Sequence, residues 1–193
     1  MSHESPHEDP RRLERHRDYL RLVARINMPL RLQSKLGPSD IVQQTLLKAH
    51  QNYNEFRGQT EAELAAWLAR ILANTLADEI RRFGGAKRDV ALERSLEAAV
   101  VQSSERLGSL LSGDVTSPSQ GAIRQEEILQ LTSALDQLPE DQRLAVELHH
   151  LRGCSVSQIA DQMSRSEASV AGLLRRGLKR LRQRLQGDRG PAD

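Results

Sequence analysis

The stretch SVSQIADQMSRSEASVAGLLRRGLKRLRQRL, residues 155–185, decides how the chain is read. Ser155 can cap a short helix whose apolar positions are Val156, Ile159, Ala160 and Met163. Ser164, Arg165 and Ser166 read as a turn with a second cap. The next helix keeps Val170, Leu174, Leu178, Leu181 and Leu185 on one face, and Ala168, Ala171, Gly172, Arg175 and Lys179 on the other. Six Arg and Lys residues and no acid lie between Arg175 and Arg184. Two helices joined by three or four residues match the helix-turn-helix, whose second helix enters the major groove by its N-terminal end. Ala160 falls where the crossing helices leave room for a small side chain. Gly172 inside a helix costs roughly 1 kcal/mol relative to Ala; close approach of the helix to DNA is one reason to tolerate it. Arginines there reach guanine edges or phosphates.

The whole chain fits a local nucleic-acid surface and not a global one. It has 193 residues and a formal net charge of only +2. Hydrophobic content is 38% and aromatic content 3%, which favours small helical domains over one large core. A single cysteine, Cys154, excludes an intramolecular disulfide framework and suits a reducing compartment. The first dozen residues lack the apolar core of a signal peptide, and no run approaches a membrane span.

Upstream of the opening stretch the periodicity stays helical. Leu13, Leu20, Val23 and Ile26 begin it, and Asn27-Met28-Pro29 should end or kink that helix. Gly37-Pro38-Ser39-Asp40 marks a new start. Val42, Leu46, Ala49, Tyr53 and Phe56 then recur at steps of four and three. Thr60 and Glu63 form a capping-box pattern ahead of Leu64, Trp67, Leu68, Ile71, Leu72 and Thr75, and Gly84-Gly85 is a stop. A weak pattern at Leu92, Leu96, Ala99 and Val100 decays into SGDVTSPSQG, residues 112–121, a linker composition. The helical signal returns at Ile128, Leu131, Leu135 and Leu138, and again, after Pro139, at Leu144, Leu148 and Leu151. The expectation is an all-α protein: a disordered 1–12, a helical domain 13–88, a flexible linker 89–122, a helix-turn-helix domain 123–186 and a disordered tail 187–193.

Three other classes compete. A DNA-binding regulator working alone needs a dimer interface or an effector pocket, and the sequence offers neither a long heptad run nor a cavity-forming domain. An enzyme needs a constellation; His150 and Cys154 are four apart, but Arg152-Gly153-Cys154 should break their helix, and no third ligand joins them. A helical adaptor accounts for the linker but not for the basic helix.

Two further segments carry a family resemblance. Asp40-Ile41-Val42-Gln43-Gln44-Thr45, Phe56-Arg57-Gly58, Trp67-Leu68, Ile71, Asn74, Asp78 and Arg81-Arg82 resemble region 2 of the extracytoplasmic-function (ECF) sigma factors of bacterial RNA polymerase, a branch of the sigma-70 family. LDQLPEDQRLAVELHHLRGCSVSQIADQM, residues 135–163, resembles their region 4. The resemblance covers about residues 15–88 and 124–186. It implies a cytoplasmic transcription initiation factor with no cofactor, metal or catalytic residue, whose partners are core RNA polymerase (β′ coiled coil and β flap) and promoter DNA. Whether an anti-sigma factor is a partner stays open. It implies polymerase docking by Asp40, Gln43, Gln44 and Thr45. It implies −10 contacts by Asn54, Arg57, Gln59, Asn74, Arg81, Arg82, Lys87 and Arg88. It implies −35 contacts by Ser166, Glu167, Ser169, Ala171, Gly172, Arg175, Arg176 and Lys179. Gln44 stands where the family commonly has Glu, Ser164 where it has a turn Gly, and Ala171-Gly172-Leu173 where Lys, Ser and Arg are common.

Overall fold

The computed structural model describes residues 10–29, 32, 35–84, 90–111 and 121–187. Helices run α1 Pro10–Glu14, α2 Arg17–Asn27, α3 Pro38–Gln51, α4 Glu61–Gly84, α5 Val90–Leu111, α6 Gly121–Asp136, α7 Glu140–Val146, α8 Val156–Met163 and α9 Glu167–Gly187. A 3₁₀ turn, Tyr53–Glu55, follows α3, and a π-helical turn, Glu147–Leu151, extends α7. No strand occurs among the described residues.

The helix starts follow the capping chemistry of the sequence. Thr60 Oγ1 accepts from the Glu63 backbone N–H at 3.2 Å, and Glu63 Oε2 accepts from the backbone N–H groups of Thr60 and Gln59 at 2.9 and 2.8 Å. Ser155 and Gln158 form the same reciprocal pair at α8. Asp40 Oδ2 takes the Gly37 N–H at 2.9 Å, closing the start of α3.

Helices α2, α3 and α4 bury Leu20, Val23, Ile41, Val42, Leu68, Leu72 and Leu76 almost completely. Truncating one such Leu to Ala costs about 2–5 kcal/mol. In the second half, Leu135, Val146, Leu151, Ile159 and Val170 form the equivalent core. Gly177 lets α9 lie against α7: a Cβ there would sit 2.9 Å from Val146 Cγ2. Ala160 is buried at the helix crossing, as its size required. Ser164 holds the turn between α8 and α9 with φ +52°, a left-handed conformation unusual for a residue other than glycine.

Three expectations are corrected. Residues 90–111, read as linker, are a 22-residue helix. It buries Leu96, Val100, Ser103 and Leu107 and packs on α2, α4 and α6. Part of its inward face is polar: Tyr19 Oη lies 2.7 Å from Ser104 Oγ, and Asn27 Nδ2 donates to Ser103 Oγ at 3.1 Å. The rest of the expected linker, 112–120, lies outside the described residues. Residues 10–12, read as disordered, belong to α1, and Arg12 is engaged with the first domain. Helix α3 stops at Gln51, so Tyr53 and Phe56 sit beyond it instead of continuing its face.

The halves share one buried apolar cluster, with α2, α4 and α5 packed on α6, and polar contacts add to it. Arg152 donates to the carbonyls of Arg25 and Ile26 at the end of α2, at 3.1 and 2.7 Å, filling acceptors that a helix terminus leaves open. Arg106 of α5 donates to the Leu151 carbonyl at 2.8 Å.

Candidate nucleic-acid interface

Three surfaces emerge. The first is the segment between α3 and α4. Tyr53, Phe56 and Trp67 form a half-buried aromatic cluster, with ring centroids 6.0 Å apart for Tyr53–Phe56, 6.2 Å for Tyr53–Trp67 and 5.3 Å for Phe56–Trp67. Gly58 is required beside it, since a Cβ there would meet the Phe56 ring at 2.5 Å and Glu63 Cβ at 2.8 Å. Above this base the side chains of Asn54, Arg57 and Gln59 are exposed. The hydrogen bonds from Gln59 and Thr60 pull the Glu63 carboxyl below the ordinary range, so the loop's exit is held by an ionised cap.

Asn74 is exposed farther along α4. Arg82 is exposed beside the Phe83 ring, with its guanidinium carbon 5.0 Å from the centroid. Arg81 pairs with Asp78 and, at 2.7 Å, with Glu93, and Arg82 Nη1 lies 3.3 Å from Glu79 Oε1. Burial works against the Asp78 charge, yet Lys48 and Arg81 together hold that carboxyl below its ordinary range. Lys87 and Arg88 lie outside the described residues.

The second surface is a stripe on α3. Asp40, Gln43 and Gln44 are solvent-accessible, and Leu47, one turn on, is 58% exposed. These positions are three and four apart and share a face. Thr45 does not join them. It is fully buried, and its hydroxyl donates to the Ile41 carbonyl at 2.8 Å within its own helix. In the sequence Leu47 is marked only as an apolar residue off the Val42–Leu46–Ala49 stripe.

The third surface is α9. Ser166 caps it, accepting from the Ser169 N–H at 3.3 Å. Glu167, Ala171, Arg175, Arg176 and Lys179 are exposed, whereas Ser169 and Gly172 are half-buried. The Arg176 guanidinium folds over Gly172, where a Cβ would approach it to 3.1 Å. Leu173 is buried at 6% exposure, so it faces the core and not the groove. Its departure from the common Arg therefore takes nothing from the exposed face.

His149 Nδ1 lies 2.9 Å from the Cys154 carbonyl, and its ring is T-shaped against His150 at 4.8 Å. Among the described residues no group of three or more His, Cys, Asp or Glu side chains could hold a metal ion. No helix among them is long and apolar enough to cross a membrane.

A helical bundle carrying a polar loop on aromatic rings, followed by a helix-turn-helix with a basic reading helix, defines a two-part DNA-binding protein. Residues 15–84 match Sigma-70 region 2 and residues 128–181 match Sigma-70, region 4. The chain is 30% identical over 149 residues to the ECF RNA polymerase sigma factor SigL of Mycobacterium tuberculosis, covering 76% of this chain and 73% of that one. It is 28% identical over 160 residues to the ECF RNA polymerase sigma-E factor of Salmonella typhimurium, covering 80% and 79%. A solved structure of the sigma factor RpoE with the anti-sigma factor NepR from Bartonella quintana has 22% identity, covers 88% of this chain and 91% of that chain, and superposes with a TM-score of 0.35, too loosely to carry over any contact. The chain belongs to the ECF sigma factors of the sigma-70 family.

Proposed function

We propose that this chain binds core RNA polymerase and directs it to promoters, its first half engaging the −10 element and its second half the −35 element. The observation that carries the reading is the order of the two modules in one chain, region 2 before region 4, each with its polar surface turned outward.

Asn54, Arg57 and Gln59 meet the −10 strand, with Asn74 and Arg82 alongside. A loop mounted on aromatic rings suits an unstacked base, because every base offers a π-face and polar groups beside the platform can read its edge. Asp40, Gln43, Gln44 and Leu47 form the polymerase-docking stripe, an apolar anchor among polar neighbours. Ser166 and Glu167 sit at the helix start, and Arg175, Arg176 and Lys179 line the face of α9 that enters the −35 major groove. The protein acts by binding, not by catalysis, and works in the cytoplasm, where its polymerase is.

In vitro transcription with core polymerase over a genomic promoter library tests this. The expected result is initiation from a subset of promoters that share two spaced elements. Absence of any chain-dependent transcript, together with no binding to core enzyme, would refute the reading.

A further inference from the structure

We infer that Arg12 is a positioning residue for the −10 loop, its guanidinium tying the two ends of the Tyr53–Glu61 segment together beneath the side chains that meet DNA. The inference rests on the reading of that loop proposed above, and deepens it. Arg12 Nε donates to Glu61 Oε1 at 2.7 Å, and Arg12 Nη1 reaches Tyr53 Oη at 3.4 Å. Tyr53 is the loop's entry and Glu61 is the first residue of α4. One fork therefore spans both ends, which a lysine's single ammonium does less well.

The staple is itself braced. His16 is fully buried, and its Nδ1 lies 3.1 Å from the Arg12 carbonyl. Its Nε2 lies 3.8 Å from Glu61 Oε2, too far for a hydrogen bond, and neither atom has a hydrogen-bond partner. From Tyr53 the geometry passes to the edge of Trp67 and to Phe56, whose ring closes over Gly58. Displacing Tyr53 thus disturbs the platform under Asn54 and Arg57. Arg12 precedes the region 2 match at residues 15–84, so this support comes from outside the segment that resembles the family. A loop fixed in advance loses less entropy on capturing DNA, an effect of about ten-fold for one or two ordered side chains.

The test uses the full chain with Arg12→Gln and, as a milder change, Tyr53→Phe, which removes only the hydroxyl. Trp67 is the sole tryptophan, so acrylamide quenching reports the cluster directly. Both variants should raise quenching. The Arg12→Gln holoenzyme should form open complexes about ten-fold more slowly and discriminate less among −10 variants, with core affinity and −35 ranking at parental values. Parental quenching and parental −10 ranking in Arg12→Gln would overturn the inference; if that variant does not fold, the same two results in Tyr53→Phe do so. A control carrying Asn54→Ala and Arg57→Ala separates the cases. If the control alters −10 ranking and Arg12→Gln does not, the staple alone fails. If the control leaves ranking unchanged, the loop assignment fails and the inference with it.

Discussion

Arg25 closes on Glu147 with two contacts, Nε to Oε2 at 3.0 Å and Nη2 to Oε1 at 2.6 Å. One residue lies on α2 and the other in the π-helical turn, so the pair joins the two halves of the chain. The Glu147 side chain is only 5% exposed. Asp136 adds to the cluster, facing Arg21 at 2.9 Å, Arg25 at 3.5 Å and Arg143 at 3.6 Å. Removing Arg25 takes away both hydrogen bonds to the buried Glu147 and leaves it facing Arg143, at 3.8 Å. Arg25→Ala should therefore cost about 3 kcal/mol in urea unfolding. Adding Glu147→Gln should cost less than the sum of the single changes, because the buried charge that lost its hydrogen bonds is gone. Strict additivity would show that the pair is not coupled.

The contact between the halves has a geometric consequence. Elements named for positions −10 and −35 lie about 25 base pairs apart, or about 85 Å at about 3.4 Å per base pair. A compact chain of 193 residues has a radius of gyration of about 16 Å. Both surfaces cannot reach elements that far apart while the two halves stay packed on each other. Dyes at Gln51 and Gln183, both exposed, should show high energy transfer in the free chain and low transfer in holoenzyme on a promoter. High transfer retained in the promoter complex contradicts two-element contact by one chain.

On α3, docking and stability should separate by residue. Leu47→Ala should weaken core polymerase binding several-fold with little change in melting, since the side chain is exposed. Thr45→Ala should do the reverse, costing about 1–2 kcal/mol of stability while leaving affinity unchanged, because its hydroxyl and methyl are buried. Equal affinity loss in both would mean that docking reads the helix as a whole.

His16 should set a pH dependence in the mildly acid range. Burial lowers its pKa from the ordinary 6.5; the Arg12 carbonyl and Glu61 work in the opposite direction, and Arg15 and Arg12 with the burial. The unfolded chain then takes up a proton below about pH 6.5 while the folded chain does not. Stability from this group is complete above that pH and falls as pH drops through the window between the two values. Chemical unfolding between pH 7.5 and 5.5 should show that slope, and His16→Gln should reduce it, leaving the part that comes from His150, whose pKa burial and His149 also lower. The depressed carboxyls of Glu63 and Asp78 act at lower pH, below their ordinary 4.5 and 3.8. A slope unchanged in His16→Gln assigns the effect elsewhere.

On α9, Arg175→Ala should relax preference among −35 variants, a bidentate contact with guanine contributing about 1–3 kcal/mol of discrimination. Arg182→Ala, farther along the helix, should weaken all promoters alike or none, and reduce the salt dependence if it meets a phosphate. Leu173→Arg should not restore −35 contacts; it should unfold the second domain, because position 173 is buried. Transcription on −35 point variants at two salt concentrations measures the first two effects, and thermal melting the third. Parental ranking of the −35 variants in Arg175→Ala would remove that residue from base reading.

The helical class, the capping box at Thr60–Glu63, the cap at Ser155, the turn at Ser164 and the outward basic face of α9 are all legible in the sequence. These depend on spacing along one helix or on neighbours three and four residues away, and periodicity records both. The rest depends on packing between segments. Helix α5 was faint because part of its inward face is polar: Ser103 and Ser104 meet Asn27 and Tyr19, partners about 80 residues away that no local pattern announces. Thr45 looked like a contact residue by motif and became core because the hydroxyl can satisfy itself on its own helix while the methyl packs. Arg81 is matched by Asp78 and Glu93, a pairing that no local pattern announces. Arg12 read as part of a polar leader; its role exists only because folding brings Tyr53 and Glu61, eight positions apart, to the same guanidinium. A charged side chain takes its meaning from what lies opposite it in space, and that is fixed by packing between segments, not by the order of residues within one.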